Sequence, residues 1–165
     1  MSIFAAALLQ SAENVLQQLR EKKLTLATAE SCTGGLVSAL LTEISGSSDV
    51  FTHGFTTYAN AAKISMLGVP QTLIDTHGAV SEEVARAMAE GALRAANPDI
   101  SVAITGIAGP SGATENKPVG LVHIACARAG FQMLHSVHQF AGDRTAVRLQ
   151  AVEAALALVT QQVAA

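Results

Sequence analysis

The sequence predicts a layered α/β domain with a mixed β-sheet, and three observations carry that expectation. Helix-like and strand-like patterns alternate along most of the chain, the arrangement that builds parallel strands with helical crossovers. Residues 100–105 (ISVAIT) are apolar almost throughout, as a central strand covered on both faces requires. Residues 121–127 and 131–140 then read as two strands separated only by Arg128-Ala129-Gly130, a hairpin that brings antiparallel pairing into the sheet.

Each element has its own reason. Leu8, Leu9, Ala12, Val15, Leu16 and Leu19 recur at helical spacing and predict a first helix ending near residues 21–23. Its start resembles a weak signal segment, but no basic residues precede it and the helical register continues, so it is read as part of the domain. Residues 24–30 (LTLATAE) alternate and carry threonines, which predicts a strand broken at Ser31-Cys32-Thr33-Gly34-Gly35. A helix is expected over 36–44, a turn over 45–49, a strand over 50–58 and a short helix over 60–67, closed by Gly68-Val69-Pro70. Another turn of helix is expected over 71–76. Ser81, followed by Glu82 and Glu83, opens a helix that reaches Ala96, where Asn97-Pro98-Asp99 stops it. Residues 106–120 are rich in Gly, Pro and polar side chains and read as a long loop, and a last helix is expected over 143–163. The order is α-β-α-β-α-α-β-loop-β-β-α in one domain spanning 1–165, with no internal repeat or linker.

Composition narrows the function classes. Half of the 165 residues (50%) are apolar, enough for a sizeable core, and the abundance of Ala favours closely packed helices. Ten Lys and Arg against 13 Asp and Glu give a net charge of -3, which offers no electrostatic footprint for nucleic acid or an anionic membrane. Cys32 and Cys126 have neither disulfide-framework nor zinc spacing and read as buried thiols in a reducing compartment. No apolar run is long enough to span a bilayer, so a cytoplasmic protein without membrane or nucleic-acid partners is expected.

Four segments can carry chemistry. At the strand-to-helix turn 28–35, Ser31 can be a nucleophile beside an oxyanion hole, or the turn can cradle a phosphate. Plain helix capping by Ser31 or Thr33 remains the structural alternative. In the loop opening with Gly106-Ile107-Ala108-Gly109-Pro110-Ser111-Gly112, the glycine spacing fits neither a Walker loop nor a dinucleotide fingerprint. Thr105, at the end of the apolar strand, sits where α/β sheets place ligand contacts. At the start of the last helix, Arg144 and Arg148 share one face, unfavourably for the helix dipole. An anionic ligand would explain them, and so would a solvated face capped by Asp143. Tyr58 ends a strand, and Lys63 falls in a mostly apolar helix. Burial there would make it a base, whereas a snorkelling lysine would reach solvent. The histidines argue against a metal: His135 and His138 point to opposite faces of a strand, and His53, His77 and His123 are isolated in sequence.

Taken together and in order, TAESCTGG (28–35), SGSS (45–48), GFTTYANAAK (54–63), HGAVSE (77–82), TGIAGPSG (105–112), KPVG (117–120) and GDRTAVR (142–148) resemble the signature of the CinA C-terminal domain family. The resemblance covers nearly the whole chain. It implies a three-layer α/β/α sandwich with a five-stranded mixed sheet. It implies the activity of the family's stand-alone members, which remove the amide nitrogen of nicotinamide mononucleotide to give nicotinate mononucleotide and ammonia. It implies no cofactor and a homodimer. Longer relatives carry a further N-terminal domain that is expected to be absent here. Carried over by position, Ser31 becomes the nucleophile and Lys63 its activator. Thr33, Gly34 and Gly35 supply N–H groups to the oxyanion, Tyr58 and Thr105 contact substrate, and Arg144 holds the phosphate or carboxamide end. Arg148 and Ser48 are further substrate-binding candidates. Two rivals stand beside this: a nucleotide- or phosphate-sensing module without turnover, and an amidohydrolase or esterase for another substrate.

Overall fold

The computed structural model describes residues 2–165. Helix α1 (Ala6–Lys22) is followed by β1 (Leu26–Glu30), α2 (Leu36–Glu43), a short 3-10 turn (Ser47–Asp49) and β2 (Phe51–Thr56). Next come α3 (Asn60–Leu67), α4 (Gln71–His77), α5 (Glu82–Ala96) and β3 (Ile100–Gly106). The chain ends with β4 (Leu121–Arg128), β5 (Leu134–Gln139) and α6 (Arg144–Ala164). The strands form one sheet in the order β2-β1-β3-β4-β5. β1 runs parallel to β2 and β3, whereas β4 is antiparallel to both β3 and β5. The expected mixed five-stranded sheet is therefore present, with β3 at its centre.

The two faces of the sheet differ in side-chain size, and the helices sort accordingly. Leu26, Val102, Ile104, Val122 and Ile124 pack with α1, α2 and α6 in one core. On the other face, register aligns Ala29, Ala103 and Ala125 in one row across β1, β3 and β4. That row is flat, so α5 lies close to it through Ala85, Met88, Ala89 and Ala92. Ser101 donates to the Ala89 carbonyl at 2.6 Å, a polar stitch across the same contact. Helix α3 approaches α5 closely because Gly91 has no side chain: a Cβ there would lie 2.1 Å from the Leu67 carbonyl oxygen.

Most expected elements are present, with shorter strands at three places. β1 and β2 start two and one residues later than the patterns suggest, and β2 stops at Thr56 rather than 58. β5 begins at Leu134 rather than 131 because residues 129–133 form the hairpin turn. There Phe131 lies under the Arg128 guanidinium, 3.9 Å from its ring centroid. Ser81 caps α5 as expected, accepting from the Val84 N–H at 3.3 Å. Among the described residues, no helix is long and apolar enough to cross a membrane.

Candidate active site

The carboxyl ends of the parallel strands β1, β2 and β3 meet at one edge of the molecule, the usual position for a ligand in such a sheet. The sharpest chemistry there begins with Glu30, the last residue of β1, which is fully buried. Pairing places it beside Ile104, on the face covered by α2. Its carboxylate accepts from the N–H groups of Gly35 (3.1 Å), Val37 (3.0 Å) and Ser38 (2.9 Å), and from the Ser38 hydroxyl (2.9 Å). Glu30 thus occupies the N-terminus of α2, where a carboxylate is favoured by free donors and by the helix dipole. This corrects two expectations. Neither Ser31 nor Thr33 caps α2 with its side chain. The N–H groups of Gly34 and Gly35 do not face a ligand either, because they bond to the Ser31 carbonyl (3.0 Å) and to Glu30.

Lys63, on α3, is not a snorkelling surface lysine. It is 1% exposed, and its Nζ lies 3.0 Å from Ser31 Oγ. The same nitrogen donates to the carbonyls of Thr57 (2.9 Å) and Tyr58 (3.2 Å). Burial holds its pKa below the ordinary lysine value, the neighbouring Cys32 opposing this weakly. The geometry has a consequence for the neutral amine. Its two protons go to the two carbonyls, which can only accept, and its lone pair is left aimed at the Ser31 hydroxyl. In that neutral form the amine would be a base beside an alcohol.

These groups line a cavity of about 290 Å³ together with Cys32, Tyr58, Thr105 and Arg144. Arg144 donates to the Gly109 carbonyl (2.8 Å) and to Tyr58 Oη (3.0 Å), which ties the loop after β3 to the end of β2 across the mouth. Thr105 is buried and donates to the Ala79 carbonyl at 2.8 Å, holding the segment before α5 against β3. The Cys32 thiol is pushed up to about 11, chiefly by burial, so it is no competing nucleophile near neutral pH.

Three sequence-derived candidates are not brought to the cavity as side chains. Arg148 lies behind the turn, donating to the carbonyls of Cys32 (3.1 Å) and Thr33 (3.0 Å), so it braces the segment that follows Ser31. Ser48 is exposed in the 3-10 turn beyond the far end of α2, at the opposite end of the parallel strands from Ser31. The Thr33 side chain is fully buried and its hydroxyl has no partner.

Sequence reasoning gave Glu30 and the Thr57 carbonyl no role. A carboxylate at the end of a strand, four residues before Gly34-Gly35, was the available signal for the first. His123 and His135, far apart in sequence, also meet: their ring nitrogens are 3.1 Å apart, and His135 Nδ1 lies 3.5 Å from Glu82. Burial lowers the pKa of both imidazoles. No group of three or more metal-ligating side chains occurs among the described residues.

Comparison with known proteins agrees with this architecture. The profile of the CinA C-terminal domain matches residues 8–163. The chain is 50% identical to the nicotinamide-nucleotide amidohydrolase PncC of Escherichia coli strain K12, over 94% of each protein. It is also 50% identical to a CinA-like protein of Syntrophus aciditrophicus, of which it spans only 35%. The chain likewise spans 40% of a relative from Symbiobacterium thermophilum. Among solved structures, the competence/damage inducible protein CihA of Agrobacterium tumefaciens superposes with a TM-score of 0.95 at 43% identity, 98% of each chain being covered. A CinA superfamily protein of Escherichia coli gives 0.91 at 37% identity, covering 98% of this chain and 94% of that one. The chain belongs to the CinA C-terminal domain family.

Proposed function

We propose that the protein hydrolyses the carboxamide of nicotinamide mononucleotide to nicotinate mononucleotide and ammonia, with Ser31 as nucleophile and Lys63 as its base. The contact between Lys63 Nζ and Ser31 Oγ, 3.0 Å long and buried, is the observation that carries this reading. The substrate class follows the 50% identical Escherichia coli relative, a nicotinamide-nucleotide amidohydrolase by name, to which the chain corresponds over 94% of both lengths. A binding module without turnover would have no use for an amine buried against a hydroxyl, a costly arrangement in a site that only binds.

The steps conserve atoms and protons. Neutral Lys63 takes the Ser31 proton as Oγ attacks the carboxamide carbon, and the carbonyl oxygen becomes an oxyanion. When the tetrahedral adduct collapses, the C–N bond breaks and the Lys63 ammonium gives that proton to the leaving nitrogen, releasing ammonia. Lys63 is neutral again. It takes a proton from water, whose oxygen attacks the Ser31 ester, and then returns a proton to Ser31 Oγ as the acid departs. These transfers require no metal, because one lysine supplies both base and acid. Arg144 is the group for the phosphate: it lines the cavity, and its fork retains N–H donors beyond those given to Gly109 and Tyr58.

Ammonia release from nicotinamide mononucleotide, nicotinamide riboside and nicotinamide, with and without chelator, tests the reading. Release from the mononucleotide alone, insensitive to chelator and reduced by ~10³-fold or more in Ser31→Ala, is expected. A folded protein that binds the mononucleotide and releases nothing would instead be a sensing module. Equal release from the riboside would remove the role given to Arg144.

A further inference from the structure

A nucleophile turn needs donors for the oxyanion, and the glycines expected to provide them are engaged elsewhere. The backbone donors of the turn can be followed one by one. Ser31 N–H bonds to the Ile104 carbonyl (3.0 Å), Gly34 to Ser31 (3.0 Å) and Leu36 to Thr33 (3.2 Å). Gly35, Val37 and Ser38 bond to Glu30. Of the turn's N–H groups, those of Cys32 and Thr33 alone find no acceptor beyond their own residue among the described residues. Both residues are buried, at 6% and 0% exposure. Buried amide groups without a partner are rare because each costs about 1–3 kcal/mol, so two in succession call for an acceptor that arrives with a ligand.

Their direction follows from peptide planarity, since C=O and N–H of one peptide point opposite ways. Arg148 Nε holds the Cys32 carbonyl at 3.1 Å, which turns the N–H of Thr33 away from Arg148. Gly34 holds the Ser31 carbonyl at 3.0 Å, which turns the N–H of Cys32 away from Gly34. Cys32 is also the residue directly after the nucleophile, whose amide serves the oxyanion in other sharp nucleophile turns.

We propose that the N–H groups of Cys32 and Thr33 form the oxyanion hole, and that Arg148 and Glu30 are its positioning residues. Arg148 fixes the turn by its carbonyls, and Glu30 fixes it by anchoring the α2 N-terminus. Glu30 thereby also keeps the substrate phosphate off this helix end, where a second anion would be repelled. The proposal rests on Ser31 being the nucleophile and specifies which groups receive the charge that its attack creates.

The direct test uses wild-type protein and the aldehyde analogue of nicotinamide mononucleotide, in which a formyl group replaces the carboxamide. Ser31 adds to it reversibly and leaves an oxyanion in the position of the tetrahedral intermediate. The amide proton resonances of Cys32 and Thr33 are expected to move downfield on adduct formation, in wild type and not in Ser31→Ala. If the adduct forms while these two stay in place, or while those of Ala108 and Gly109 on the same cavity move instead, the assignment is overturned. An analogue that binds without any Ser31 adduct would count against the nucleophile reading itself. Arg148→Met then tests the positioning role. Its expected effect is a fall in kcat on the order of a hundredfold with KM changed less than about threefold, and loss of analogue affinity without loss of affinity for nicotinate mononucleotide. Guanidinium ion in solution should restore part of kcat. Weaker product binding with kcat intact would make Arg148 a substrate contact and overturn its assignment. If Arg148→Met does not fold, Arg148→Lys, which keeps the charge but not the fork, is read by the same split.

Discussion

A lysine serves as a base only where its charged form is made costly, and Lys63 meets that condition through burial rather than through a neighbouring cation. The sign of the pH dependence follows. Lys63 loses its proton at a lower pH than an ordinary lysine, so kcat/KM should rise with pH through that depressed pKa and level off above it. A profile that falls over the same range would reverse the roles of the dyad. Lys63→Arg is the sharper comparison, because guanidinium does not deprotonate in this range. Turnover should drop by roughly 10³-fold at every pH, with no alkaline recovery. Lys63→Met, lacking any base, should match it. Buried Cys32 gives a control at the same turn: its raised thiol pKa predicts that alkylating reagents leave activity intact near neutral pH.

Helix α3 matters because it carries Lys63, and its position is set by how closely it lies against α5. Gly91→Ala isolates that contact. Helix propensity alone would favour Ala in α5 by about 1 kcal/mol. A Cβ at Gly91, however, meets the Leu67 carbonyl oxygen at 2.1 Å and the Leu67 Cβ at 2.8 Å, which nothing but movement of α3 relieves. The variant should therefore lose about 1–3 kcal/mol in denaturant unfolding, and kcat should fall as α3 carries Lys63 away from Ser31. A stabilised variant would mean that the helices are not in contact there. Ser81→Ala should cost about 1 kcal/mol by removing the α5 cap, with little effect on kcat. Elements of this kind were legible in sequence because their signals are local: an apolar stripe for α1, Ser81 with Glu82 and Glu83 for α5. β5 was read too long because Phe131 fits a strand pattern while its ring packs under Arg128. The contacts of Glu30 and Arg148 and the meeting of His123 with His135 were not legible, since each depends on partners brought near only by the folded sheet. The Ser31–Lys63 pairing came from family resemblance, because no spacing rule links residues on different elements.

Charge distinguishes two of the hollows on the molecule. One is the cavity at the carboxyl ends of β1, β2 and β3, with Lys63 and Arg144 in its wall. The other, about 240 Å³, lies between α1 and α6 and is lined by Ser11, Asn14, Gln18, Glu153 and Thr160 among others, with an acid and no base. In a protein of net charge -3, a phosphate-bearing substrate is drawn to the first in preference to the second. The same topology sets the pattern of motion. β3 is hydrogen-bonded on both sides and buried under helices, so its amides should exchange most slowly, whereas residues 110–118, largely exposed in the long loop, should exchange fast. Ser31→Ala saturated with nicotinamide mononucleotide permits a ligand footprint without turnover. Hydrogen exchange should slow in residues 31–33, 58–63 and 105–112 and at the start of α6, segments distant in sequence that meet only at this edge. The hairpin turn near Gly130 and the α1–α6 hollow should exchange as in the free protein. Protection confined to α1 and the middle of α6 would relocate the binding site and leave the Ser31–Lys63 contact without a substrate to act on.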